Sequence, residues 1–254
     1  MKALVILPTY NEAKTLPQVL TKISAYDWLD ALVMDDNSSD GTAEVVEHWE
    51  KTSNRVHLIK RPAKLGLGTA YLSGFKWGLE RDYEYFYEMD SDLSHNPDAL
   101  PWFIKEMEEG GYDLMIGSRY TKNTISVVGW DFRRLLLSKF GNLYASTILG
   151  MKLTDMTSGY RCYRRETLLG IDFDQICSNG YAFQIEMAYL AVKAGFKVGE
   201  MQIIFYERDH GTSKMSKKII REAVILPWKL KIKEMGGSVS KLFSMKKDVK
   251  KTSH

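Results

Sequence analysis

Short apolar runs and helical stripes take turns along the first ninety residues. Lys2 to Leu7 is a compact apolar run ending at Pro8, without alternation, the pattern of a strand buried on both faces. Thr15 to Ala25 carries Leu16, Val19, Leu20 and Ile23 at helical spacing. Ala31 to Met34 predicts a second strand. A helix to about Lys51 follows it, entered through the cap-rich turn Asp35-Asp36-Asn37-Ser38-Ser39-Asp40-Gly41-Thr42. Val56 to Lys60 predicts a third strand, Thr69 to Arg81 a helix behind Gly66-Leu67-Gly68, and Tyr83 to Met89 a fourth strand. This alternation predicts an α/β fold, a parallel sheet with helices on both faces.

The rhythm changes after that. The pattern predicts a helix over Ala99 to Glu109, a strand over Leu114 to Ser118, a loop over Thr121 to Trp130 and a helix over Asp131 to Gly150. A strand is expected over Ser158 to Tyr163, a helix over Phe183 to Ala194 and one late strand over Val198 to Tyr206. Ile219 to Glu234 reads as an amphipathic helix that Pro227 should kink. Trp28, Trp49, Trp77 and Trp102 fit apolar helix faces.

Composition adds two constraints. The chain has 254 residues and 44% hydrophobic side chains, enough for one large domain. Cys162 and Cys177 make no disulfide framework, so the chain reads as reduced and cytosolic. The run Ala3 to Leu7 is too short for a signal-peptide core, and no segment approaches the ~20 apolar residues of a membrane span. The net charge of +3 is unevenly spread: residues 217–254 hold eleven Lys or Arg against three acids, a net +8, which leaves −5 for residues 1–216. An acidic body with a basic end predicts a negatively charged surface as partner.

Three polar clusters directly follow strands: Pro8-Thr9-Tyr10-Asn11-Glu12, Asp35-Asp36 and Asp90-Ser91-Asp92. Ligands of open parallel sheets bind beyond the carboxyl ends of the strands, so the three are expected in one cleft. On an extended chain Asp90 and Asp92 point the same way, and converging carboxylates repel unless a cation sits between them. Mg²⁺ fits, since it takes one or two carboxylates plus substrate phosphates. A nucleotide also fits: Tyr10 stacks on a base, a carboxylate accepts from ribose or base, and the metal holds a diphosphate. The glycine fingerprint of dinucleotide folds is missing, because Pro8-Thr9-Tyr10 follows the first strand and Tyr71 stands where Gly66 and Gly68 need a third glycine. His95 reads as a supporting or capping residue, and the cysteines as packing thiols.

Leu7-Pro8-Thr9-Tyr10-Asn11-Glu12, the Asp35 to Thr42 turn and Met89-Asp90-Ser91-Asp92 resemble the donor half of family 2 inverting glycosyltransferases. Leu65 to Tyr71, Asp92-Leu93-Ser94-His95, Gly117-Ser118-Arg119-Tyr120, Gly129-Trp130-Asp131, Gly180 to Met187, and Arg208 with Gly211-Thr212-Ser213-Lys214 resemble dolichyl- or polyprenyl-phosphate mannosyltransferases. The resemblance implies a Rossmann-like glycosyltransferase type A fold, with a mixed, mostly parallel sheet flanked by helices. It implies Mg²⁺- or Mn²⁺-dependent transfer of mannose from GDP-mannose to the phosphate of dolichol or another polyprenol. Asp90 and Asp92 would hold the metal. Pro8, Tyr10, Glu12, Asp35, Asp36, Asp90, Arg208 and Lys214 would hold the donor nucleotide. Arg119, Arg133 and Arg134, with Ser138 and Lys139, would meet the acceptor phosphate, and Asp92, Arg119, Arg133 and Arg208 would carry catalysis. Tyr181, Phe183 and Glu186 become candidates to line the acceptor site.

A lipid phosphate is already an anionic nucleophile, so it needs cationic positioning more than a general base. Residues 1–216 are expected to form the catalytic domain. Residues 217–254 are expected to be a basic amphipathic helix and disordered tail on the cytoplasmic face of a membrane, small membrane subunits being further candidate partners. The rival expectations are a sibling enzyme using UDP-glucose or another nucleotide sugar, and a non-catalytic nucleotide- or nucleic-acid-binding protein. The Asp90/Asp92 pair with Arg119 and Arg208 argues against the last, and no nucleic acid is expected as partner.

Overall fold

The computed structural model describes all residues except 122–123, 177, 208–220 and 236–254. Arg208, Lys214, Cys177 and the basic tail beyond residue 235 therefore lie outside the described residues. In chain order the elements are β1 (Ala3–Thr9), α1 (Leu16–Ser24), β2 (Leu29–Asp35), α2 (Thr42–Thr52), β3 (Val56–Lys60), α3 (Leu67–Leu79) and β4 (Tyr85–Glu88). Then come α4 (Leu100–Gly110), β5 (Leu114–Ser118), β6 (Val127–Val128), α5 (Phe132–Leu149), β7 (Arg161–Arg164), α6 (Arg165–Leu169), α7 (Gly180–Lys193), β8 (Val198–Gln202) and β9 (Phe205–Tyr206). Residues 221–235 form α8.

Seven strands make one sheet in the order β3-β2-β1-β4-β7-β5-β8. All neighbours are parallel except β7, which runs antiparallel to both β4 and β5. The sheet is thus mixed and mostly parallel, with helices on both faces. Alternation along β1 serves both layers at once. Leu4 and Ile6 join the core under α3, α5 and α7, while Ala3, Val5 and Leu7 join the core under α1, α2 and α4. The helical stripe in α1 is buried through Leu16, Val19, Leu20 and Ile23, as its spacing predicts.

The antiparallel β7 matters most for function. Its first residue, Arg161, is in register with Glu88 at the end of β4 and with Ile116 of β5. The loop entering β7 therefore opens at the same sheet edge as the loops leaving the parallel strands. Arg161 is fully buried, and its guanidinium donates to the carbonyls of Ser158 (2.8 Å), Met156 (2.7 Å) and Gln184 (2.8 Å). One buried cation thus ties that loop to α7, with its own polar atoms satisfied.

Two expectations are corrected. Val198 to Tyr206 is two strands, and β9 pairs with β6 inside the segment read as loop, forming a separate two-stranded ribbon. Trp102 stays exposed at 54%, with the Lys105 ammonium over its ring. The helix expected at the end of the chain is present over residues 221–235 and continues past Pro227. It also packs into the body: Leu226 and Leu230 join the core beside α7, and the Asn179 N–H donates to the Glu222 carboxylate at 2.9 Å.

Candidate active site

The polar clusters of the first half do converge. Pro8, Tyr10, Glu12, Asp36, Asp90 and Asp92 all line one cleft of about 440 Å³. Asp35 does not. It is the last residue of β2, buried, and its carboxylate is taken up by the Ser38 hydroxyl (2.6 Å), the Ser38 N–H (3.1 Å) and the Thr9 hydroxyl (3.3 Å). Asp35 shapes the turn, and Asp36, one step on, faces the ligand side. Asp36 pairs with Arg61 at 2.8 Å, and Arg61 in turn donates to Thr69. Burial raises the Asp36 pKa, against the pull of Arg61.

Tyr10 is about one-third exposed, with the Lys64 ammonium 4.0 Å from its ring centre, and both residues line the cleft. One face of the ring thus already meets a cation. Gly66 and Gly68, which fall short of a glycine fingerprint in sequence, make room for α7. A Cβ at Gly68 would stand 2.8 Å from the Phe183 ring, and one at Gly66, whose φ is +103°, would stand 2.7 Å from Asn179 Oδ1.

The two candidate metal ligands sit in a turn beyond β4, rather than on extended chain. β4 stops at Glu88, and Leu93 takes a left-handed φ of 65°. The turn is pinned from below. His95 Nδ1 accepts the Asp90 N–H at 3.1 Å, Asp92 Oδ1 accepts the Ser94 N–H at 3.1 Å, and the Ser91 hydroxyl donates to the Pro8 carbonyl at 3.2 Å. By accepting this N–H, His95 acts as a capping residue of the turn. Its ring stacks on Tyr160 and meets Phe205 edge-on. Among the described residues no third Asp, Glu, His or Cys completes a metal cluster with this pair. Two carboxylates opening on a cleft are nonetheless the oxygen donors that Mg²⁺ or Mn²⁺ takes when a substrate supplies the remaining ligands. The residues present fit such an ion. Directly beneath, Glu88 is fully buried and its pKa is pushed up to about 7 by burial, against the nearby Arg161 and the Tyr163 hydroxyl bond.

A second cavity, of about 290 Å³, adjoins the first. Leu137, Phe140, Tyr144, Ile185 and Val224 of α5, α7 and α8 give it an apolar lining, joined by Arg119, Trp130 and Ser138. Arg134, Thr157 and Tyr181 belong to both cavities and mark their junction. Arg119 is buried against Asp155. Burial alone would lower its pKa, and the Asp155 carboxylate more than reverses this. Arg134 lies over the Trp130 ring at 4.2 Å and pairs with Glu207 at 2.6 Å. Its N–H is capped by Asp131, which starts α5. Arg133 points elsewhere: it is exposed and lines neither cavity, as does the exposed Lys139. The Ser138 hydroxyl accepts from the Tyr120 hydroxyl at 2.8 Å. Of the α7 candidates, Tyr181 lines both cavities. Phe183 and Glu186 are buried and line neither, Glu186 accepting from the Ser178 hydroxyl.

Sequence reasoning missed several residues here. Asp155 accepts from Arg119, Asn142 and Thr157, and Glu200 accepts from the backbone N–H groups of Thr154 and Asp155. Lys64, Arg61, Thr157 and Gln184 also escaped. For Lys64, Arg61 and Thr157 the only signal in sequence is proximity to a strand end, which becomes informative only once the sheet order is known; Gln184 lies inside the Gly180 to Met187 run, where nothing local singles it out.

Comparison with known proteins agrees with this geometry. The family model described as glycosyl transferase family 2 matches residues 4–170. A polyprenol monophosphomannose synthase of Mycolicibacterium smegmatis is 45% identical over 225 residues, covering 88% of this chain and 84% of that protein. An undecaprenyl-phosphate mannosyltransferase of Micrococcus luteus is 43% identical over 226 residues, covering 89% of this chain and 92% of that protein. Among solved structures, glucosyl-3-phosphoglycerate synthase of Mycobacterium tuberculosis with Mn²⁺, UDP and phosphoglyceric acid superposes with a TM-score of 0.64 at 18% identity, covering 89% of this chain and 78% of that one. At that identity the likeness speaks for the glycosyltransferase type A fold alone. The family match over most of the sheet, and two relatives above 40% identity across nearly the whole chain, show that this protein belongs to glycosyl transferase family 2.

Proposed function

We propose that this glycosyltransferase moves mannose from GDP-mannose to the phosphate of dolichol or another polyprenol, with inversion at the sugar. The observation that carries this reading is the meeting of two cavities of opposite character at Arg134, Thr157 and Tyr181. The polar one suits a nucleotide sugar, its base toward Tyr10 and Asp36 and its diphosphate toward Asp90 and Asp92. The apolar one suits the first units of an isoprenoid chain whose phosphate stops at the cationic junction. Mannose as the sugar, and a polyprenyl phosphate as the acceptor, are supported by the names of the two close relatives.

The junction residues themselves fit the chemistry. Among the described residues those lining both cavities are a cation, a hydroxyl and a phenol, with no carboxylate or histidine in that set to act as base. A phosphate nucleophile is anionic near neutral pH and needs none. Arg134 orients it, and Arg119, held in place by Asp155, adds positive charge from the apolar side. A bound Mg²⁺ or Mn²⁺ at Asp90 and Asp92 would offset the charge that builds on the departing GDP. Lys64 and Arg61 hold positive charge at the nucleotide end, where Asp36 would otherwise repel the diphosphate. Arg208 and Lys214 remain proposed donor contacts.

The lipid has to arrive from a bilayer, and the mouth of the apolar cavity is dressed for one. Phe132, Leu136, Phe140 and Leu143 stand exposed on α5, and Ile225, Trp228, Ile232 and Met235 stand exposed on α8. The two helices are linked, Trp228 Nε1 donating to the Tyr144 hydroxyl (2.9 Å) and that hydroxyl to the Val224 carbonyl (2.9 Å). Apolar stripes of this kind, followed by the Lys-rich end of the chain, suit an anionic membrane surface. No helix among the described residues is long and apolar enough to cross a membrane. We therefore place the protein peripherally, on the cytoplasmic face.

The test is direct. Purified protein is incubated with Mg²⁺ or Mn²⁺, polyprenyl phosphate and labelled GDP-mannose, UDP-glucose or other nucleotide sugars in turn. Mannolipid formed from GDP-mannose is the expected result. Glycolipid from another donor alone would replace the sugar in this reading, and absence of glycolipid with every donor would overturn it.

A further inference from the structure

We infer that Gln184 hydrogen-bonds the hydroxyls of the transferred hexose and so helps to select the sugar. This rests on the donor and acceptor assignment above and adds to it a residue that reads the sugar itself.

The cleft residues follow the sheet order. Asp36 comes after β2, Tyr10 after β1, Asp90 and Asp92 after β4, Thr157 and Gly159 before β7, and Arg119 after β5. Neighbouring strands lie about 4.8 Å apart. The carboxylates that face the diphosphate and the loop that faces the acceptor phosphate are therefore one strand apart. A sugar leaving the first phosphate for the second has to lie in that interval. Its lining is Thr157, Gly159, Asn179, Gly180, Tyr181 and Gln184.

Gln184 differs from its neighbours there. It projects from the second turn of α7, is 1% exposed, and still lines the cleft. Neither its amide nitrogen nor its amide oxygen makes a hydrogen bond of good geometry within the protein. The Glu88 carboxyl is close enough to be steadied by it; its Oε1 accepts the Tyr163 hydroxyl at 3.0 Å, and its Oε2, like the Gln184 amide, is left without a bond of good geometry. A buried carboxamide left this way is costly and calls for a partner. The backbone holds it in place, since the Gln184 carbonyl accepts from the buried Arg161 at 2.8 Å. Across from it stands Gly159. A Cβ at Gly159 would find Gln184 Nε2 at 3.6 Å and nothing else within 4 Å, so the glycine leaves space in front of the amide.

A primary amide offers donors and an acceptor side by side, which is what vicinal sugar hydroxyls require. It is also neutral, so it adds no negative charge beside Asp90, Asp92 and a diphosphate. A site that hydrogen-bonds a particular hydroxyl discriminates strongly against a substrate that presents it wrongly, because its own polar atoms are then left unpaired.

The experiment uses the full chain with Mn²⁺. Gln184→Leu and the near-isosteric Gln184→Glu are compared with wild type for GDP affinity by calorimetry. They are also compared for kcat/KM with GDP-mannose and with GDP-glucose, which differ only at the C2 hydroxyl. We expect GDP affinity to stay within about twofold, kcat/KM for GDP-mannose to fall at least tenfold, and the preference for mannose over glucose to narrow by about tenfold. An amide that serves only to support Glu88 would lower the melting temperature and leave the mannose-to-glucose ratio unchanged, which overturns the inference. Equal loss of GDP and GDP-mannose binding overturns it too. If wild type transfers from no nucleotide sugar, the donor assignment itself fails. If wild type is selective and both variants keep its selectivity, only the role of Gln184 fails.

Discussion

Arg119 and Asp155 meet through two parallel bonds, Nε to Oδ2 at 2.7 Å and Nη2 to Oδ1 at 2.6 Å, and the Arg119 backbone N–H adds a third to Oδ2 at 3.0 Å. Both side chains are almost wholly buried. Removing one partner of such a pair strands the other charge, a loss of about 3–5 kcal/mol. Asp155→Ala should therefore lower stability by that amount in denaturant titration. Arg119→Lys keeps the charge but cannot reproduce the two-point contact. It should cost less stability and raise the KM for polyprenyl phosphate. Unfolding curves for Asp155→Ala that overlay wild type would refute the structural half of this account.

Arg133 and Arg134 are neighbours in sequence with different prospects. Arg134 stands at the cavity junction and Arg133 is exposed outside it. Arg134→Ala should lose a charge-assisted contact with the acceptor phosphate, ~1.5–3 kcal/mol, seen as a KM raised at least tenfold with nucleotide affinity preserved. Arg133→Ala should behave nearly as wild type. Initial rates at varied lipid phosphate compare the two directly, and the reverse ranking would sink the assignment.

Metal removal should be reversible. With Asp90 and Asp92 as its protein ligands, excess EDTA should stop transfer and added Mn²⁺ or Mg²⁺ should restore it. Asp92→Ala should abolish transfer and also weaken Mn²⁺ uptake measured by calorimetry in the presence of GDP. Undiminished turnover in EDTA is the contrary result.

Asp36→Asn should weaken GDP binding by ~1.5–3 kcal/mol if the carboxylate accepts from the nucleoside. It also removes the charge that Arg61 faces at 2.8 Å, so a modest fall in melting temperature should accompany the loss. Unchanged calorimetric affinity for GDP would take Asp36 out of the donor site.

The apolar stripes of α5 and α8 give a prediction about lipid. Burying a large exposed apolar side chain is worth ~1.5–3 kcal/mol, so Phe140→Asp and Trp228→Asp should each lower partitioning onto anionic vesicles tenfold or more. Activity on a short, water-soluble prenyl phosphate should fall less. Sedimentation with vesicles that separates neither variant from wild type would show that this face does not carry the contact.

The elements of the first half follow from sequence because their causes are local. A fully apolar run ending at Pro8, a stripe at positions 16, 19, 20 and 23, and cap-rich turns each encode their own geometry. The rule that ligands gather at the carboxyl edge of parallel strands then brings Tyr10, Asp36 and Asp90 together without further information. Other features depend on distant partners. Asp35 and Asp36 are alike in sequence, and only the fold back of Ser38 decides which of them turns inward. Arg133 and Arg134 are separated by one step of a helix whose apolar residues face both the core and the outside, so periodicity sets no phase for it. Packing against α7 and α8 sets it instead. Asp155 finds Arg119 across 36 residues because β7 inserts antiparallel between β4 and β5, and no local pattern specifies the direction in which a short strand enters a sheet. That insertion carries Thr157, Gly159 and, through Arg161, Gln184 to the point where the two cavities meet.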